Sequence, residues 1–207
     1  GVEESEGQVE LARAKAASVE DVGVDFRHAQ LEALEFEDEQ FDLVVGDASL
    51  VAPERLPEVL AEMVRVAAPG GKVALTLPTS SSFGEFFSVY WEALRNAGIT
   101  NHEHDVESLI TELPTVSEIE ALAGREGLDN VSSWTRIEEF DFESGEEFLN
   151  APLITDFLLR VWLESLPEAA DQERVTKEIE RIIDAERQDM DFALSVKATL
   201  VVGRKTR

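Results

Sequence analysis

Two short runs hold the side chains best suited to chemistry. His102-Glu103-His104-Asp105 gathers two of the three histidines, alternating with two carboxylates. Such a set can ligate a divalent cation, and one imidazole, with His104 as the catalytic candidate, can take a proton from a hydroxyl acceptor. The i, i+2 spacing on a polar stretch equally suits an exposed loop, and no metal is expected there. The second run is Asp47-Ala48-Ser49, directly after the apolar segment Phe41-Asp42-Leu43-Val44-Val45-Gly46. Open α/β sheets bind ligands at the carboxyl ends of their strands. Asp47 can there hold a ligand's amino group, act as a base towards substrate, or simply cap the next helix. No cysteine is present, which excludes disulfides, thiolate metal sites and cysteine nucleophiles together.

The elements that must position these groups follow from periodicity. Ser5-Glu6-Gly7-Gln8 is a capping-box pattern that opens a helix to about Ala17. Val24 to Arg27 alternates as a half-buried strand, 31–40 reads as an acidic loop, and 41–47 suits a parallel strand buried on both faces. Pro53 starts a helix carrying Leu56, Val59, Leu60, Met63 and Val64 at helical spacing. Pro69-Gly70-Gly71 turns into a strand over 72–77, Ser82 caps a helix that stops at Gly98, and Thr115-Val116-Ser117-Glu118 opens another that ends near Gly127. This alternation implies α/β with a mostly parallel, three-layer sheet. Strands over 131–142 and from 192 to 203, without a βα rhythm, imply an antiparallel C-terminal edge. Between them, 143–190 is a helical insertion in what reads as one domain over 1–207. Its stripes, Phe148, Leu153, Phe157, Val161 and Trp162, then Val175, Ile179 and Ile182, suit core packing. The first also suits a lid over a substrate pocket, and the 148–190 helices a surface for a second copy or a protein partner.

Composition narrows the partners. Across 207 residues, 44 acidic side chains face 18 basic ones, for a net charge of −26, while 43% of residues are hydrophobic. The apolar fraction supports a folded core. The charge repels phosphate backbones and anionic lipid, so neither nucleic acid nor membrane is an expected partner. No apolar run approaches the roughly 20 residues of a membrane-spanning helix, and the chain opens without a signal-peptide pattern, which points to the cytoplasm. Five of the 18 cations are lysines. Many carboxylates with few lysines fit either adaptation to high salt or an ordinary solvated acidic surface.

Three stretches together carry a resemblance: Gly1-Val2-Glu3-Glu4-Ser5 leading to Leu11-Ala12-Arg13; Leu34-Glu35-Phe36 with Phe41-Asp42-Leu43-Val44-Val45; and Leu60-Ala61-Glu62-Met63-Val64-Arg65-Val66-Ala67-Ala68-Pro69-Gly70-Gly71-Lys72. The chain resembles class I S-adenosylmethionine-dependent methyltransferases of the small-molecule, ubiquinone-biosynthesis type, with Leu200 to Lys205 similar to their last strand. The resemblance implies a Rossmann-like sheet, S-adenosylmethionine as cofactor and a small-molecule methyl acceptor. It implies cofactor contacts at Glu3, whose carboxylate would accept from ribose hydroxyls, with Glu4 as the neighbouring alternative. Gln30 would meet the adenine amino group, Leu31 the adenine face, and Asp47 the cofactor's amino group.

The chain departs from the family in lacking a glycine-rich strand–loop. It begins where a member would have passed its first strand, which in the family lies between the second and the fourth. A gap in mid-sheet is therefore expected, with the missing start lying upstream of Gly1. The alternative is a scaffold without catalysis that binds or regulates through the helical insertion.

Overall fold

The computed structural model describes residues 1–18, 23–99, 106–107, 112–166, 168–186 and 191–206. The elements run β1 (Val2–Glu3), α1 (Glu6–Ala16), β2 (Arg27–His28), β3 (Phe41–Asp47), a 3-10 turn (Pro53–Arg55), α2 (Leu56–Val66), β4 (Ala67–Pro78), α3 (Gly84–Asn96), α4 (Val116–Arg125), β5 (Leu128–Phe142), α5 (Gly145–Asn150), a π-helical segment (Ile154–Leu158), α6 (Leu159–Trp162), α7 (Ala169–Glu186) and β6 (Phe192–Lys205).

The strands form two separate sheets. β1 pairs in parallel with β2, and the larger sheet has the order β3-β4-β6-β5. β3 and β4 are parallel, and β6 runs antiparallel to both β4 and β5. The C-terminal strand is thus antiparallel as expected. Its position is corrected: it lies inside the sheet, and β5 forms the edge.

Leu194 and Val201 stand an odd number of residues apart on β6, so they face opposite sides of the sheet. Each belongs to a different core. Leu194 and Phe142 join Phe86, Tyr90, Phe148, Trp162, Val175, Ile179 and Ile183 from α3 and the insertion. Val201 joins Val73, Leu75 and Leu77 of β4, with Leu56, Leu60 and Met63 of α2 and Ile119 of α4. Helices on both faces make the three layers that the βα alternation implied. Apart from exposed Val161, the insertion's apolar stripes point inward, and Phe86 stacks on Trp162 with ring centroids 3.7 Å apart.

β3 departs from its sequence. It reads as a strand buried on both faces, yet Leu43 is 57% and Val45 68% exposed, because no described helix covers this part of the sheet face. Among the described residues β3 pairs only with β4. On the same face, across the ladder, Leu200 and Trp134 are also exposed. Among the described residues no strand bridges β1 and β3, which belong to separate sheets.

Local signals explain the ends of the helices. Thr115 and Glu118 form a complete capping box. Gly98 closes α3 at φ +72°, with Ile99 N donating to Leu94 O. Ser82 does not cap α3; Phe83 does, at φ +62°, because the Ser82 hydroxyl donates to Thr79 O and accepts from Lys197 N. Pro69-Gly70-Gly71 forms an irregularity within β4 rather than a turn before it. A Cβ on Gly71 would stand 2.8 Å from Ala68 O and 3.1 Å from Phe41 O, so only glycine lets the two strands close there.

Candidate ligand-binding site

Two cavities flank the turn after β3. The first, about 580 Å³, runs between the two sheets along β3, and Glu3, Leu31 and Asp47 line it together with Asp25, Val45 and Met63. The second, about 480 Å³, opens beyond the carboxyl ends of β3 and β4. Ser49 and Leu50 line one side, Pro78 and the rings of Phe83 and Phe87 another, and Leu158, Val161 and Trp162 of the insertion a third. Asp47 therefore belongs to one cavity and Ser49 to the other, with buried Ala48 between them. The backbone fixes this divide, since Ala48 N donates to Thr76 O at 2.7 Å and prolongs the β3–β4 ladder by one residue.

Glu3 ends β1. Its Oε1 accepts from Glu4 N at 2.9 Å and Ser5 N at 3.1 Å, which fixes the carboxylate at the mouth of the first cavity and leaves Oε2 for a ligand. Asp47 is held likewise, with Oδ1 accepting from Ser49 N at 2.8 Å. Leu31 supplies a half-buried apolar wall. Gln30 is exposed two residues past β2 and is not among the residues that line the cavity. It stands close to Glu3 along the chain path, because Ala29 N donates to Glu3 O at 3.2 Å. Three of the four expected cofactor contacts thus share one cavity and the fourth sits beside it. His104 and its neighbours 102–105 lie outside the described residues.

Glu4, the alternative to Glu3, is engaged elsewhere. Arg55 donates Nη2 to Glu4 at 2.5 Å and to Glu32 at 2.7 Å, and its Nε also binds Glu32. These hydrogen bonds hold the Glu32 carboxyl below its ordinary range and raise the Arg55 guanidinium. One side chain thus ties the β1–α1 turn, the loop after β2 and the entry to α2. Arg65 acts similarly one helix end away. It binds Glu62 and Asp38 and donates to the carbonyls of Leu34 and Phe36, while Glu62 accepts from Leu34 N at 2.8 Å. The acidic loop over 31–40, which places Leu31, is pinned by these contacts. Sequence reasoning singled out Arg65 by motif and overlooked Arg55. The signal available for it was a cation at a helix entry in a segment dominated by acids.

A hydroxyl chain lies behind the second cavity. Buried Thr199 Oγ1 lies 2.9 Å from buried Thr79 Oγ1 and 2.8 Å from Thr135 Oγ1, joining the residue after β4 to the middle of β6 and β5. It anchors the 79–83 segment, and Phe83 N donates to Ser195 O at 2.8 Å. A left-handed backbone is costly for a bulky residue and persists only where surrounding bonds enforce it. Here it turns the Phe83 ring against Trp162, edge to face at 5.5 Å.

Residues 1–71 match the model of a methyltransferase domain family. Demethylmenaquinone methyltransferase of Renibacterium salmoninarum is 32% identical over 113 residues, which are 54% of this chain and 46% of that protein. The match spans less than half the length of that relative. Among solved structures, the YcgJ protein of Bacillus subtilis superposes over 100% of this chain and 82% of its own, with TM-score 0.61 and 16% identity. Phosphoethanolamine N-methyltransferase 2 of Haemonchus contortus, in complex with phosphomonomethylethanolamine and S-adenosylhomocysteine, covers 100% of this chain and 43% of its own, with TM-score 0.53 and 15% identity. The resemblance to class I methyltransferases holds in both respects. The domain pattern occupies the first third of the chain, and the fold of the whole is the Rossmann-like methyltransferase fold.

Proposed function

We propose that this chain is a methyltransferase domain that uses S-adenosylmethionine to methylate a small molecule. The observation that carries the reading is the pair of cavities on either side of Asp47-Ala48-Ser49, at the carboxyl edge of a sheet of methyltransferase fold. When bound, the cofactor supplies a methyl group on a sulfonium, open to in-line displacement. Residues of the first cavity fit its nucleoside: Glu3 presents a free carboxylate oxygen to vicinal hydroxyls, and Leu31 an apolar surface to a ring. Gln30 is positioned to accept from an exocyclic amine by a shift of its exposed side chain. Asp47, at the boundary, would hold the ammonium group at the amino-acid end of the cofactor. The aromatic wall of the second cavity limits the water around the approach of the acceptor. The insertion provides one wall of it, so its apolar stripe serves as core and lid at once, which favours catalysis over the inactive-scaffold reading.

Calorimetry with S-adenosylhomocysteine tests the proposal on this chain and on any longer version of it. Saturable binding is expected, weakened about tenfold or more by Glu3→Gln, since loss of one charge-assisted contact costs about 1.5–3 kcal/mol. Binding that is absent from every version would refute the assignment.

A further inference from the structure

The second cavity carries information about its occupant. Its aromatic wall is built from Phe83, Phe87 and Trp162, each almost fully buried and set edge to face at 5.5–6.4 Å. Around the mouth stand three exposed carboxylates, Glu54, Glu112 and Glu164, and none of the described residues that line the cavity is cationic. Ser165 adds a different kind of group. Its hydroxyl is buried in the lining and has no hydrogen-bond partner. A buried hydroxyl without a partner is destabilising, and a ligand's polar atom would relieve it.

We infer that this cavity takes a ring-bearing amine in its ammonium form and discriminates against carboxylate and phosphate compounds. Each element contributes a separate preference. The rings favour an apolar, flat body and attract a cation to their faces. The three carboxylates lower the energy of a positive charge at the mouth and raise that of a negative one, in a molecule whose overall field is already negative. Ser165 fixes orientation by one hydrogen bond. The size suits one or two fused rings with a short chain, because drug-sized sites begin near 300 Å³.

The term "acceptor" for this amine rests on the function proposed above; the binding preference does not. As an acceptor, the ammonium first gives its proton to water or a rim carboxylate. The nitrogen lone pair then forms the N–CH₃ bond as the S–CH₃ bond breaks, and that bond's electron pair stays on the sulfur, which leaves as a neutral thioether.

The test compares tryptamine, tryptophol and indoleacetate, which share a ring system and differ in side-chain charge, by ligand-observed NMR titration of this chain at neutral pH. Tryptamine is expected to bind at least about tenfold more tightly than indoleacetate, with tryptophol between them. The gap should shrink as salt shortens the screening length from about 10 Å at 0.1 M to about 3 Å at 1 M. Glu54→Gln, Glu112→Gln and Glu164→Gln combined should bring it below about threefold. These residues are exposed, so the variant is expected to keep the circular dichroism spectrum and melting temperature of the parent. Val161→Arg, at a half-exposed lining position, should reverse the order in favour of indoleacetate. Equal or tighter binding of indoleacetate by the unaltered chain, an unchanged ranking in both variants, or no binding of any probe would overturn the inference. Failure of the function is separable from this. A chain that ranks the probes as expected yet never binds S-adenosylhomocysteine keeps the amine pocket and loses the methyltransferase reading. A chain that binds S-adenosylhomocysteine but prefers the anion does the reverse.

Discussion

Arg55 and Arg65 organise more backbone than their surface positions suggest. Arg55 joins Glu32 and Glu4, and with them the two segments that carry Glu3 and Leu31. Its side chain is 36% exposed, so water screens the pairs and their combined worth is modest. Arg55→Ala is expected to destabilise the fold by about 1–2 kcal/mol in urea denaturation and to weaken cofactor binding beyond that, because Leu31 loses its anchor. Glu62 offers a reading by pH. The Arg65 hydrogen bond, aided by Leu34 N, holds its carboxyl below the ordinary value in the folded state. A depressed carboxylate contributes stability that is present above the unfolded value and lost as pH falls through the folded one. Stability should therefore decline as pH drops below about 4.5, and Glu62→Gln should flatten that decline while lowering the plateau at neutral pH. Denaturation midpoints at several pH values, with and without the substitution, measure the difference in slope.

At the scale of elements, much was legible because the signals were local. Helix α2 follows from Pro53 and the spacing of Leu56, Val59, Leu60, Met63 and Val64, all but Pro53 buried. The Thr115 capping box and the Gly98 stop came from two or three residues each. Misreadings arose where tertiary bonds decided. Ser82 looks like a cap but is drawn to Thr79 and Lys197, which are distant in sequence or committed to another turn. β6 has the alternation of a strand, yet nothing in it states that β5 lies outside. Within the site, Glu3, Leu31 and Asp47 were recoverable by resemblance, whereas the Thr79–Thr199–Thr135 chain joins positions up to 120 apart and has no sequence signature. β3 is the instructive case, for its composition describes a strand with neighbours on both sides. With only β4 bonded to it among the described residues, the β3 amides that point away from β4 should exchange with solvent far faster than those on the ladder side. Hydrogen exchange followed by NMR resolves the two sets. Equal protection of both would mean that a partner strand covers the free edge.

The whole molecule balances apolar burial against its own charge. Two cores on opposite faces of one sheet draw the helices together, while 44 acidic side chains against 18 basic ones spread a repulsive field over the surface. Compactness raises that repulsion, since unfolding moves like charges apart. The ion pairs supported by Arg55 and Arg65 act in the other direction, and they are short-range contacts that salt weakens only partly. The long-range repulsion is the more screenable of the two, because most of its pairs lie beyond the roughly 8 Å screening length at 0.15 M. Potassium chloride should therefore raise the melting temperature steeply from about 0.01 to 0.2 M and more gently above that. The shape of this curve separates the two accounts of the acidity. An ordinary solvated surface gives a folded protein at about 0.1 M salt and a gain that saturates as the field is screened. Adaptation to high salt gives a chain that is largely unfolded at about 0.1 M and continues to gain through about 1 M and beyond. Scanning calorimetry across that range reads both limits directly. Substituting lysines for exposed acids such as Glu138 and Glu139 of β5 should shift the whole curve toward lower salt in either case, since each exchange removes repulsion without touching a core.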